Sequence, residues 1–267
     1  METKRNIKYF TAPPVSVIAL IGWAIAAVGV IMMAFGHRGM MLPGVICALI
    51  GFAVVVFSSG GKANDTDIEY QAAEKIKNLQ ELSEKKYEVY EKHFLKMLKP
   101  INLKGYDFEA KEEPFYYKKG ADGKHRTNYY VGCNLIFTSE KMYILGRRFS
   151  LTDELIDQEI SGTYFYNELD KAELEEKTYE TEKGGHPVSV PVYIVKILKK
   201  DGTEVLRMGV EYGSDIDKYV EQITRVIQVR QVELEKRAQE AAERRAAFRA
   251  KVEAEKEAEA RGELIEE

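Results

Sequence analysis

Two uninterrupted apolar runs dominate the first quarter of the chain. No formal charge occurs over residues 9–37, and the stretch 12–35 is almost wholly apolar. A second uncharged run covers 39–61, with its apolar part at 40–58. A helix of about 20 apolar residues crosses a hydrocarbon layer ~30 Å thick, so the pattern predicts membrane spans at about 12–35 and 40–58. Pro13 and Pro14 suit a helix start, and Gly36, His37, Arg38 and Gly39 form a tip short enough for a hairpin. Gly22, Gly29, Gly44 and Gly51 allow the two helices to approach closely. A cleaved signal peptide fits poorly, because the first run exceeds an apolar region of roughly 7–15 residues and a second follows at once.

Beyond the runs the period changes. Ile68, Ala72, Ile76, Leu79, Tyr87, Tyr90, Phe94 and Met97 step by threes and fours, with Ser83 as a polar break. That stripe predicts one amphipathic helix over 64–99, about 50 Å long. Thr66 and Glu69 have capping-box spacing, and Lys99 followed by Pro100 gives the stop. The stripe either packs along its own domain or pairs with another copy through Ile68, Ile76, Leu79, Tyr87, Tyr90 and Phe94. From 101 to 213 the chain reads as strands rich in Val, Ile, Tyr and Phe: 108–117, 128–138, 142–149, 160–166, 190–198 and 205–210, with a short one at 169–174. Turn signals separate them, at 120–123, 139–141, 184–185 and 200–202, and Gly162 suggests a bulge. Short turns between consecutive strands predict an antiparallel sheet or barrel. After Gly213, Ser214 and Asp217 cap a helix whose apolar first part should pack on the sheet. Beyond about 231 it becomes a charged helical tail, read as solvent-exposed, with a partner-binding or self-associating helix as the alternative.

The predicted class is therefore α+β, in four stretches. They are a transmembrane hairpin at 1–61, an amphipathic linker helix at 62–100, a β domain with its capping helix at 101–231, and a helical tail at 232–267.

Charge sets orientation and excludes a class. Lys and Arg number 39 against 43 Asp and Glu, a formal net charge of −4. That balance argues against general nucleic-acid binding, which needs a basic footprint. Lys4, Arg5 and Lys8 precede the first run and Lys62, Lys75 and Lys77 follow the second, while Arg38 stands alone in the tip. The positive-inside rule then places both termini and the β domain on the cytoplasmic side of the plasma (inner) membrane. The two cysteines, Cys47 and Cys133, form no CxxC, which argues against a disulfide framework or a cysteine-ligated zinc.

No nucleophile motif, HExxH, Walker loop or dinucleotide fingerprint occurs, so neither a catalytic residue nor a cofactor is expected. The histidines, His37, His93, His125 and His186, are scattered, so no metal is expected. Asp153, Glu154, Asp157 and Glu159 read as a solvated acidic loop, because calcium-loop spacing is missing. A basic turn stands out: Lys118, Lys119, Lys124, His125 and Arg126 surround the first predicted hairpin.

The run NLIFTSEKMYIL at 134–145 resembles the strand, Thr, short turn, basic residue and strand of bacterial pleckstrin-homology-like domains. YFYNEL at 164–169 is similar to their step into the next strand. A late hairpin turning at 200–202 and a closing amphipathic helix keep the same order. The resemblance covers about 105–231, and the segment 175–189, the helix 64–99 and the tail depart from it. It implies a seven-stranded, partly open barrel plugged by the last helix. It also implies that Lys118, Lys119, Lys124 and Arg126 stand where relatives grip anionic headgroups, with Lys111 completing a loose basic spacing. Such folds host many roles. The reading favoured is a non-catalytic, membrane-anchored interaction or scaffold protein with a protein partner or a homo-oligomeric state. Anionic-lipid or envelope-stress sensing is the alternative, and a membrane-associated enzyme is third.

Overall fold

The computed structural model describes the chain except Met1, 13–16, His37, Met97, Gly184, Gly185, Tyr212, Ser214 and 264–267. The proline start, the His37 position in the tip, the 184–185 turn and the Ser214 cap fall outside the described residues.

The chain is α+β. Helix α1 (Glu2–Thr11) precedes α2 (Val17–Phe35) and α3 (Met41–Ser59), which are long and apolar enough to cross a membrane. Glycines line their contact. A Cβ on Gly29 would collide with the backbone of Ala48, and one on Gly51 with the backbone of Ala26. The backbones are thus as close as a small-residue interface allows.

The expected single helix over 64–99 is corrected to three pieces. Helix α4 (Asp65–Ile76) starts at an Asn64–Asp67 capping box, two residues earlier than the Thr66–Glu69 spacing suggested. It ends at Lys77 and Asn78, where α5 (Leu79–Tyr87) sets off. Glu88 then turns the chain with a left-handed φ of 53°, and a single 3₁₀ turn, Glu91–His93, follows. The breaks let the stripe follow a curved sheet instead of running straight past it.

That sheet has the order β1-β4-β5-β6, antiparallel throughout, from β1 (Ile101–Tyr106), β4 (Tyr129–Phe137), β5 (Lys141–Ser150) and β6 (Asp157–Phe165). A small hairpin, β2 (Tyr117–Lys119) with β3 (His125–Thr127), is inserted between β1 and β4. A second sheet has the order β7-β8-β9, from β7 (Leu169–Lys183), β8 (His186–Lys199) and β9 (Glu204–Val210). Two further expectations are corrected. The strand over 108–117 is mostly loop, and 101–106 takes its place. Within the segment that departs from the resemblance, 175–183 and 186–189 are the far parts of β7 and β8, paired with each other. Register shifts occur at Leu169/Lys171 and Ile197/Leu198, not at Gly162. Among the described residues the two main sheets hold seven strands, four and three, with the short β2–β3 hairpin beside them, and they do not close into one barrel.

Strand β4 is buried on both faces and divides two cores. Val131, Cys133, Leu135 and Phe137 face β7–β9 and the first turns of α6 (Ile216–Glu263), where Ile216, Ile223 and Ile227 are buried. On the other face Tyr130 joins Tyr9, Phe10, Ile68, Ala72 and Phe149. Each large side chain so buried contributes about 1.5–3 kcal/mol. Burial pushes the free Cys133 thiol up to about 12, so it packs as a small apolar group.

Candidate functional site: a juncture at the membrane end of the fold

Helices α1 and α4 flank the apolar pair in sequence, and both fold back onto the β structure. The Asn6 amide donates to Leu151 O at 2.7 Å and to Gln71 Oε1 at 2.6 Å. Ala63 N donates to Arg5 O at 3.2 Å, joining the two flanks directly. The Tyr9 hydroxyl donates to Asp65 Oδ1 at 2.6 Å, and Asp65 Oδ2 accepts from Ala121 N at 2.7 Å in the tip of the β2–β3 hairpin. Burial first, then the hydrogen bond to Asp65, raises the Tyr9 hydroxyl well above its ordinary range. Burial pushes Asp65 upward, but the Tyr9 hydroxyl and the Ala121 amide prevail and hold it low.

The basic hairpin is built into this juncture. Its turn uses Gly123 at φ +80°, and Gly120 N donates to Lys124 O at 2.8 Å. Lys118 donates to Tyr9 O at 2.5 Å, with its ammonium 3.8 Å from the Tyr9 ring centre. Arg126 is shut off from solvent, 2.8 Å from Glu69 and 2.6 Å from Asp122. The guanidinium hydrogen bonds hold the Asp122 carboxyl far below the usual range. Of the four predicted headgroup contacts, Arg126 therefore works inside the fold, Lys118 is half-buried, and Lys119 and Lys124 are exposed. Lys111 is also exposed, on the loop that leads to β2.

A cavity of about 310 Å³ opens behind the hairpin, between Tyr106, Phe108, Lys124, Val192 and Glu211. Glu211 is one of its lining residues, and Glu211 Oε1 is buried without a hydrogen-bond partner.

The striped residues lie against the same sheet. Ile68 is fully buried, Leu79 is buried, and Ile76 is half-buried over Gly132. The Tyr87 hydroxyl donates to Ile144 O at 2.6 Å. Phe94 forms an isolated bridge with Thr138, and Tyr90 remains half exposed. Of the two readings of the stripe, the structure shows packing along its own domain, which covers most of the face.

The acidic loop does not converge: Asp157 pairs with Arg147, Glu159 with Lys86, and Glu154 accepts from Thr3. Among the described residues no three His, Cys, Asp or Glu side chains are grouped to hold a metal ion. His93 accepts from Tyr90 N, and His125 lies 2.5 Å from the Tyr117 hydroxyl. Sequence reasoning missed α1 as a structural element, although Asn6, Tyr9 and Phe10 at helical spacing carried the signal. It also missed Asp65 and Glu69 as partners for the basic turn. Their spacing of four on α4 was the available clue. Comparison with protein-family models, curated proteins and solved structures gives no match to this chain.

Proposed function

We propose that this chain is a non-catalytic, membrane-anchored interaction protein whose β unit is a pleckstrin-homology-like module. Support for the module comes from the order of parts: a four-stranded antiparallel sheet, a three-stranded one, then a helix whose first turns fill the space between them. The first hairpin insertion lies where the resemblance implies a binding loop. Both termini are cytoplasmic in this reading, on the Lys and Arg distribution around the spans.

The observation that carries the interaction role is the far part of α6. Gln231 still bonds Tyr166 O and Leu169 O, and Leu234 still packs on the core. From Glu235 to the helix end the arm runs on for about 40 Å, exposed on nearly every side wherever its side chains are described. Apart from its isolated Phe248, 69 % exposed, the arm offers charges of both signs to a partner. A photo-crosslinking residue at Phe248 should label a defined protein in native membranes. Labelling indistinguishable from that of a residue placed at random on the surface would remove the reading. An activity reporter fused after Glu267 should work only in the cytoplasm.

A second reading has one specific observation behind it. The Lys118–Tyr9 contact holds the basic hairpin against the last turns of α1, and in this reading Lys119 and Lys124, both exposed, face the headgroup layer. Each such charge adds about 1 kcal/mol near an anionic surface. Crosslinkers at Lys119 that label lipid, with less labelling after Lys124→Glu, would favour it.

A further inference from the structure

Three of the four edges of the two main sheets have a cover at some point along them. Strands β1 and β9 meet each other, with Glu211 N donating to Lys104 O at 3.0 Å. Strand β7 is capped near its start by α6: the Thr224 hydroxyl donates to Ala172 O at 3.1 Å and accepts from Ala172 N at 3.0 Å. Among the described residues strand β6 has no such cover, although it is nine residues long and contains neither proline nor lysine. Its pairing with β5 has no register shift. Long, unbulged edges without these protections pair with other strands.

The direction of each backbone group on β6 is fixed by its neighbours. Ile156 O accepts from Ser150 N at 2.9 Å, and Gly162 N donates at 3.1 Å to the Tyr87 hydroxyl, which itself donates to Ile144 O of β5. Even-numbered residues therefore point their backbone groups at β5. Asp157, Glu159, Ser161, Thr163 and Phe165 point theirs outward. Among the described residues these outward amides and carbonyls make no backbone hydrogen bond.

We infer that β6 pairs antiparallel with β6 of a second copy of this chain, about a two-fold axis at Ser161. The register is self-complementary. Ser161 meets Ser161, Glu159 meets Thr163 and Asp157 meets Phe165, with roughly ten backbone hydrogen bonds in all. Both acids of the strand then face neutral residues, whereas a parallel in-register pair would set Glu159 against Glu159 and Asp157 against Asp157. The ends agree with this choice. Phe165 is 45 % exposed and carries the Lys141 ammonium 4.5 Å from its ring centre, so the arriving Asp157 finds a cation. Leu155, 93 % exposed and two residues before Asp157, arrives diagonal to Phe165 and gives that ring an apolar neighbour. Anchoring both copies in one membrane raises their effective concentration, so an edge of this length suffices. The pairing rests on the membrane anchoring of the proposed function, but not on its interaction arm or on the pleckstrin-homology-like module.

The test uses the full chain in native membranes with an added oxidant. Ser161→Cys should form a disulfide-linked dimer absent from the wild type, since directly paired Cα atoms lie about 5.5 Å apart, within disulfide range. Thr163→Cys should not link to itself, because four strand positions put those sites about 14 Å apart. It should link to a co-expressed Glu159→Cys chain. Adding Thr163→Glu to the Ser161→Cys chain sets like charges opposite each other twice and should cut the dimer at least tenfold. The inference is overturned if Ser161→Cys gives no dimer, links to a different protein, or links equally well with Thr163→Glu. It is equally overturned if Thr163→Cys links to itself as readily as Ser161→Cys.

Discussion

Arg126 and Glu69 lie 2.8 Å apart, and that contact ties the inserted hairpin to the first helix after the apolar pair. Arg126 has no solvent of its own, whereas Glu69 and Asp122 keep 30 % and 39 % of their side-chain exposure. Removing the cation therefore leaves two carboxylates that water can partly rescue. Removing the carboxylates strands a buried guanidinium. Arg126→Ala should cost roughly 2–3 kcal/mol, below the ~3–5 kcal/mol of a fully buried pair, and Glu69→Gln with Asp122→Asn should cost more. Urea unfolding of the detergent-solubilised chain measures both. A double carboxylate variant as stable as the wild type would contradict this account of the hairpin.

Acid should loosen the loop between β1 and β2. Hydrogen bonds from Arg207, then Lys177, hold the Glu109 carboxyl at about 2 against the opposing effect of burial. Hydrogen bonds from Arg148 hold Glu112 at about 2. Both values lie below the ~4.3 of an unfolded glutamate, so the unfolded chain binds more protons as the pH falls. Their contribution is complete above about pH 5 and is lost on acidification toward pH 2. The carboxylates are about one-third exposed, so the contribution is small for each. Unfolding midpoints should drop over that window, and Glu109→Gln with Glu112→Gln should flatten the drop. An unchanged slope in the double variant would remove these two groups as the cause.

The apolar runs were legible because twenty consecutive uncharged residues form a local signal that needs no tertiary context. Strands β4 and β5 were legible from their β-branched and aromatic composition. The breaks at Asn78 and Glu88 were not, because the stripe from Ile68 to Phe94 keeps its period straight across them. A glutamate in the left-handed region gives no warning, whereas a glycine there would have. Phe108, Phe115 and Tyr116 imitate a strand, but Phe108 and Phe115 are used to pack on Tyr179 from a loop. Arg126 looked like a surface charge because Glu69 is 57 positions away and Tyr9 more than a hundred. Long-range partners of a charged residue leave no mark in the residues beside it.

The apolar pair should tolerate no side chain at its central glycines. A Cβ on Gly29 would stand 2.6 Å from Gly44 O and still closer to the Ala48 backbone, atoms that cannot move aside as a flexible side chain would. Gly29→Leu and Gly51→Leu should each destabilise the pair by roughly 1–3 kcal/mol or force the helices apart. Gly39→Ala, which meets nothing within 4 Å, should be silent. Helicity against added denaturing detergent would register the difference. Equal behaviour of all three variants would mean that α2 and α3 do not pack through these faces.

The last prediction concerns how α4 sits on the sheet. A Cβ on Gly132 would lie 2.5 Å from Ile76 Cγ2 and 2.9 Å from Ile76 Cβ, so the glycine leaves room for the last turn of α4. Gly132 also sits mid-strand, paired with Lys104 on one side and Arg147 on the other, so the strand cannot retreat without breaking its ladder. Gly132→Ala should therefore lift α4, and with it Asp65 and Glu69, at a cost of roughly 1–3 kcal/mol. Ile76→Ala alone should cost about 2 kcal/mol, because its side chain is only half-buried. Combined, the two should cost clearly less than their sum, since the smaller side chain frees the space that the new methyl needs. Urea unfolding of the four chains gives the coupling directly, and limited proteolysis at Lys77 should report the lifted helix in Gly132→Ala only. Additivity within about 0.3–0.5 kcal/mol would show that Ile76 and Gly132 do not touch. In that case α4 would not carry the link from the apolar pair to the sheet.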